Sequence, residues 1–223
     1  MIGLCTDSNA QLPPPLVERF GVEVVPLTVT IDGQAFSEGV DLDADAFYAY
    51  FDEGATPTVA TAAPGPGRFL AAYQALAAKG AGEILSVHIG SSLSATLNAA
   101  RLGAEQAPVP VRLVDTGTAS FGVACCLWEA AEAVSRGADL EEAARLAEQV
   151  AGRTGNVFTV RALDLARRGG RLTTPVDQVA EAEAVSVLRL VAGAIQPLAQ
   201  ARNLDEAADV MAAAVLAGGS NLR

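Results

Sequence analysis

A chain of 223 residues that is 51% hydrophobic and 18% charged, against about 25% charged in an ordinary domain, can bury ample apolar surface and is not disordered. Its 26 acidic and 15 basic residues give a formal charge of −11, which argues against nucleic-acid and anionic-membrane binding. An odd set of cysteines (Cys5, Cys125 and Cys126, two of them adjacent) is no disulfide framework and suggests buried free thiols in a reducing, cytoplasmic compartment.

In chain order, Ile2–Cys5 reads as a buried strand that ends in the polar Thr6-Asp7-Ser8. Pro13–Phe20 is predicted helical. Val22–Ile31 is β-branched and weakly alternating, and Asp32-Gly33 then signals a hairpin turn before Gln34–Ser37. Asp43–Phe51 has an acidic start and helical spacing. Thr56–Gly67, punctuated by Pro57, Pro64, Gly65, Pro66 and Gly67, is predicted to be a loop. In the helix that follows, Phe69, Leu70, Tyr73 and Leu76 share one face. Glu83–Ile89 and Val109–Val114 are predicted strands, with an alanine-rich helix over Leu93–Gln106 between them. Phe121–Val134 and Leu140–Val150 are predicted helices.

Strand and helix thus alternate to about residue 150, which implies a three-layer α/β/α domain with a mostly parallel sheet over residues 1–154. The remainder differs. Asn156–Arg161 is a strand, Leu163–Arg168 a short helix, and Val185–Leu190 and Ala194–Ala201 are strands about Ala192-Gly193, before a helix over Leu204–Leu216. Residues 155–223 therefore read as a smaller α+β domain with a mixed sheet. The apolar stretch Val185–Ala201 is interrupted by Arg189, Gln196 and Pro197 and is too short for a spanning helix. The amino terminus lacks the basic and apolar regions of a secretory leader.

Catalytic motifs are scarce. His88 is the sole histidine, which leaves no room for a multi-histidine metal site. No phosphate-loop or dinucleotide-binding glycine pattern occurs, and Gly90–Ser94 lacks the second glycine of a nucleophile elbow. What remains are polar clusters at element ends: Thr6-Asp7-Ser8, the segment Thr58–Pro64, the run Ser91–Thr96, and Arg167-Arg168-Gly169-Gly170-Arg171. Carboxyl ends of parallel strands and the following helix amino termini are where α/β sheets bind ligands, anions included. Each cluster also has a plain structural reading as a helix cap or turn, and a strand histidine such as His88 is commonly a satisfied core residue.

Taken in order, these segments resemble the DegV family. The resemblance rests on Thr6-Asp7-Ser8, on Val24–Gly33 with Phe36–Leu42 after it, on Thr61–Phe69, on His88–Ala100, on Leu113–Ala124 and on Ala166–Leu172. It covers essentially the whole chain. It implies a two-domain protein that encloses one long-chain fatty acid between its domains, with the carboxylate held by Thr61, Ser94 and Arg171. Ala62, Ser92, Ala95, Thr96, Gly169 and Gly170 would be in the supporting loops. It further implies a lipid carrier with no cofactor, metal or catalytic residue of its own, which presents the acyl group to a separate ATP-binding bacterial fatty acid kinase.

The chain departs from the family at Ala62, where a serine is usual, and at Ala95, where a glycine is usual. The family's chains also continue past this length, through a histidine-bearing, glycine-rich segment, so the second domain is expected to be incomplete by comparison. Two other readings stand beside the carrier. One is an enzyme subunit similar to dihydroxyacetone kinase, in which His88 would hold a small ketone and would have to lie in a polar cleft. The other is a degenerate relative that keeps the fold and binds no lipid.

Overall fold

The protein is described by a computed structural model covering residues 1–159 and 185–219. The chain divides into two compact units, Met1–Thr154 and Gly155–Arg223.

In the first unit, β1 (Ile2–Asp7), β2 (Glu23–Val25), β6 (Glu83–His88) and β7 (Val111–Asp115) form a parallel sheet in the order β2-β1-β6-β7. Register sets Leu4 beside Leu85, Thr6 beside Val87 and His88 beside Asp115, so the carboxyl ends of three strands align. Side chains alternate across the pleat. Leu4, Leu85, Val87 and Val114 pack against α5 (Phe121–Ser135) and α6 (Leu140–Ala151). Cys5 and Ile84 meet α3 (Pro66–Ala78) and α4 (Thr96–Ala104) on the other side. The stripe on α3 buries Phe69, Tyr73 and Leu76 as its spacing predicts. At Gly103 the two helices come so close that a Cβ would lie 2.8 Å from Phe69 Cβ and from the Pro66 carbonyl oxygen.

The segment Val22–Ile31 is not one strand. Pro26, which has no N–H to give a ladder, divides it into β2 of the parallel sheet and β3 (Thr28–Ile31). β3 turns through Asp32 (φ 47) and Gly33 (φ 85) into β4 (Gln34–Ser37), the hairpin that Asp-Gly announces. A second correction concerns Thr56–Gly67. Within this predicted loop, Val59–Ala62 is strand β5, which pairs antiparallel with β3 to complete the order β4-β3-β5. The Asp32 carboxylate accepts from Thr58 N–H at 2.8 Å, and Asp32 N–H donates to the Thr58 carbonyl at 2.9 Å. Proline spacing suggests a loop, but β5 is decided by a partner 32 residues back, with Thr61 opposite Val29. Helix α2 (Ala44–Ala49), capped by the Asp43 side chain on Ala46 N–H, covers this small sheet through Phe47. Helix α1 (Pro14–Phe20) ends on Gly21 in the left-handed region.

The second unit contains β8 (Asn156–Thr159), β9 (Val185–Val191) and β10 (Ala194–Ala201), antiparallel in the order β10-β9-β8. The β9–β10 turn takes Ala192 and Gly193 to φ 48 and 76. The closing helix Leu204–Gly219 packs through Ala207, Val210 and Met211 on Val187 and Ala201. Leu163–Arg168, Gly169, Gly170 and Arg171 lie outside the described residues.

Candidate functional site

A cavity of about 900 Å³ opens in the first unit, between the segment Ser8–Glu18 and the small sheet with α2. Such a volume falls within the roughly 300–1,000 Å³ of small-molecule sites. Alternation along β3 and β5 turns Val29, Val59 and Thr61 to one face, and all three line it. Leu42 and Phe47 add apolar wall from the α2 side, and Leu12 and Val17 from the other. The polar lining is Ser8, Gln11, Tyr48, Thr61 and the acids Glu18, Glu38 and Asp43, with no lysine, arginine or histidine among the described lining residues.

Two of these groups hold each other. The Ser8 hydroxyl donates to Glu38 Oε2 at 2.6 Å and accepts from Leu27 N–H at 2.9 Å, tying the end of β1 to the small sheet.

Beneath the strand ends runs a buried polar chain. His88 Nδ1 lies 2.9 Å from Asp7 Oδ2, His88 Nε2 2.6 Å from Ser86 Oγ, and Ser86 Oγ 3.0 Å from the Tyr73 hydroxyl. All four side chains are fully buried. A carboxylate only accepts, so Nδ1 carries the proton toward Asp7. In the neutral imidazole, Nε2 then accepts from Ser86, whose oxygen accepts from Tyr73. Phe69 stands edge-on to the imidazole at 5.1 Å. Asp7 also accepts from Ile89 N–H at 3.2 Å and Asn9 N–H at 3.1 Å, so the relay holds the loops after β1 and β6 in place. Burial pushes the Cys5 thiol up to about 12 and raises the Tyr73 hydroxyl above its usual value. The arrangement has the order of a serine–histidine–aspartate triad but no access, because every member is enclosed and paired. His88 is a satisfied core residue and does not lie in the polar cleft that the ketone-binding reading requires.

The serine run forms the turn after β6. Ser91 N–H donates to Asp115 Oδ1 at 3.1 Å and its hydroxyl to Oδ2, which anchors the turn on β7. Gly90 passes Gly117 so closely that a Cβ there would sit 2.8 Å from Gly117 Cα. Ser94 Oγ, half-buried, pairs with Thr96 Oγ1 at 2.8 Å. Ala95 rests at φ −73, ψ 0, a conformation open to any residue, so alanine in place of glycine there brings no backbone strain. Ser120, ahead of α5, is strained instead, at φ 55 and ψ −141. It is held by N–H donation to Asn9 Oδ1 and hydroxyl donation to Gln11 Oε1, both at 2.9 Å.

Of the residues singled out from the sequence, Thr61 lines the cavity. Ala62 ends β5, while Ser92, Ser94, Ala95 and Thr96 belong to the turn and first residue of α4 and are not part of the lining. Arg171, Gly169 and Gly170 lie outside the described residues. Sequence reasoning missed Glu38 and Gln11. Glu38 belongs to the segment Phe36–Leu42, and only the hydrogen bond to Ser8 shows its place in the wall.

No described helix is long and apolar enough to cross a membrane, and no described group of three histidine, cysteine or acidic residues could hold a metal ion.

Comparison with known proteins agrees with this architecture. Residues 1–222 match the family described as "Uncharacterised protein, DegV family". A DegV domain-containing protein of Streptomyces coelicolor is 37% identical over 207 residues, spanning 92% of this chain and 73% of that protein. One from Deinococcus radiodurans is 37% identical over 172 residues, so the chain covers 77% of its own length but 60% of that relative. Among solved structures, a DegV family protein of Thermus thermophilus, described by its fatty acid binding, superposes with a TM-score of 0.87 at 32% identity. That match covers 99% of this chain and 78% of that one. A stearic acid-binding protein from Eubacterium ventriosum gives 0.84 at 20% identity over 100% and 78% of the two chains, which shows the shared fold.

Proposed function

The chain belongs to the DegV family, and from that premise we propose that it binds one long-chain fatty acid, with the hydrocarbon tail in the cavity beside the β4-β3-β5 sheet. The observation that carries this reading is the cavity itself: about 900 Å³, walled largely by valine, leucine and phenylalanine, with Thr61 on its lining. Burying fourteen methylenes at about 0.8 kcal/mol each contributes roughly 11 kcal/mol before the costs of ordering and association, enough to hold a lipid. The carboxylate cannot leave water without charge-assisted partners. We assign these to the hydroxyls of Thr61 and Ser94 and to Arg171. The fatty acid-binding relative from Thermus thermophilus supports the ligand class.

In this reading the protein works in the cytoplasm as a carrier, with no cofactor, metal or catalytic residue of its own. A separate bacterial fatty acid kinase binds ATP and transfers its γ-phosphoryl group to the presented carboxylate, leaving ADP and an acyl phosphate. The enclosure of His88 and the lack of a phosphate-loop motif favour this division of labour.

Denaturing extraction followed by mass spectrometry of the organic phase, against a matched blank, tests the proposal. A C14–C18 fatty acid near one per chain is expected. Thr61→Val, Ser94→Ala and Arg171→Ala are each expected to weaken retention about tenfold, the loss of one charge-assisted hydrogen bond. A chain that carries no fatty acid, and takes up neither palmitate nor oleate on incubation, is a degenerate relative.

A further inference from the structure

Resting on the fatty-acid reading, we infer that Glu38 makes the cavity selective for the remote end of the acyl chain. It admits a chain that ends in a methyl or a hydroxyl group and turns away one that ends in a second carboxylate.

The argument starts from hydrogen-bond inventory. Ser8 has one O–H to give, and it is spent on Glu38 Oε2 at 2.6 Å. The serine oxygen meanwhile receives Leu27 N–H at 2.9 Å, and Glu38 N–H is committed to the Leu27 carbonyl at 2.9 Å. Ser8 and Glu38 therefore have no donor left to offer an incoming anion, and the donors of the lining near them are confined to the Gln11 amide, the Tyr48 hydroxyl and Thr61. What this pair has is acceptor capacity, since a carboxylate offers about four lone-pair sites and Ser8 fills one. An alcohol at the end of an acyl chain brings the matching donor.

Charge sharpens the distinction. Glu38 is half-buried, the exposed Glu18 and Asp43 add the same sign at the edge of the lining, and no described lining residue is cationic. In a wall partly withdrawn from water, like charges repel more strongly than in solution. Discrimination then comes from a repulsive element as well as from fit. Ligand sites of this size commonly combine apolar walls with a few such polar groups that set orientation.

The test is isothermal titration of delipidated protein with hexadecanoate, 16-hydroxyhexadecanoate, hexadecanedioate and the half-amide of that diacid. The half-amide has the diacid's length and an uncharged polar end, and it needs no altered protein. The parent is expected to bind the monoacid, the hydroxy acid and the half-amide within about threefold of one another, and the diacid at least about tenfold more weakly. Glu38→Gln keeps an acceptor for Ser8 and removes the charge. It is expected to bring the diacid within about threefold of hexadecanoate measured on the same variant.

Equal binding of diacid and monoacid by the parent overturns the inference. So does a gap that survives Glu38→Gln, or a half-amide rejected like the diacid. If Glu38→Gln tightens all four ligands alike, the carboxylate faces the head of the lipid and the inference also fails. A parent that binds none of the four overturns the fatty-acid reading and this inference with it.

Discussion

Ser86 is the link whose removal says most about the buried relay. Its hydroxyl stands 2.6 Å from His88 Nε2 and 3.0 Å from the Tyr73 hydroxyl, and none of the three residues is exposed. Ser86→Ala takes away a single oxygen, so little space opens, but two buried polar atoms lose their partner. Each such orphan costs about 1–3 kcal/mol. Tyr73 retains a long contact to the Ala100 carbonyl at 3.5 Å, which offsets part of its share. The expected loss is about 2–4 kcal/mol. Tyr73→Phe removes a donor and leaves Ser86 still bonded to His88, at about 1 kcal/mol. The double variant leaves only Nε2 unpaired, so it is expected to be milder than the sum of the single changes by about 1–2 kcal/mol. Urea unfolding followed by fluorescence reads this cleanly, because Trp128 is the only tryptophan and lies on α5 of the same unit. The midpoint should shift while the slope stays constant. A loss under about 0.5 kcal/mol for Ser86→Ala, or a double variant as destabilised as the sum, would show that the hydrogen-bond chain contributes nothing as a unit.

Gly103→Ala drives a methyl within 2.8 Å of Phe69 Cβ and the Pro66 oxygen. The gain in helix propensity, about 1 kcal/mol, is outweighed by the separation of α3 from α4, and calorimetry should find a net loss of about 1–2 kcal/mol. Ser120→Gly relieves a conformation that suits glycine alone but loses the hydroxyl bond to Gln11, and chemical denaturation should show a gain of about 1 kcal/mol. Burial raises the Cys5 and Cys126 thiols to about 12. Below the unfolded value of about 9 both states hold these protons and stability is at its full level. Between about 9 and about 12 only the unfolded chain releases them, and each thiol subtracts about 1.4 kcal/mol per pH unit. Denaturation from pH 8 to 11 checks the sign. Cys5→Ala and Cys126→Ala should each flatten the decline.

The parallel sheet and its two helical layers were legible because their signals are local. Apolar runs ended in polar residues, the stripe on α3 repeated at helical spacing, and Asp32-Gly33 marked its hairpin. The division of Val22–Ile31 was legible in principle, since Pro26 cannot supply a ladder hydrogen bond. β5 was not, because Val59–Ala62 is extended by pairing with a strand far back in the chain. Thr61 was found through the resemblance of its segment to a family. Glu38 was missed because an acidic residue in a polar, glycine-bearing stretch looks like a solvated turn.

Composition and periodicity by themselves thus determined the class of fold, the buried first strand, the core-facing side of α3 and the lack of common catalytic motifs in this sequence, all of which depend on neighbours a few residues apart. Only the tertiary structure decided that His88 is enclosed between Asp7 and Ser86, that Ser8 spends its proton on Glu38, and that Thr61 shares a cavity with that acid. The bonds of Ser8 to Glu38 and of Asp7 to His88 join residues 30 and 81 positions apart. They come from strand register and chain crossing, which no local window contains.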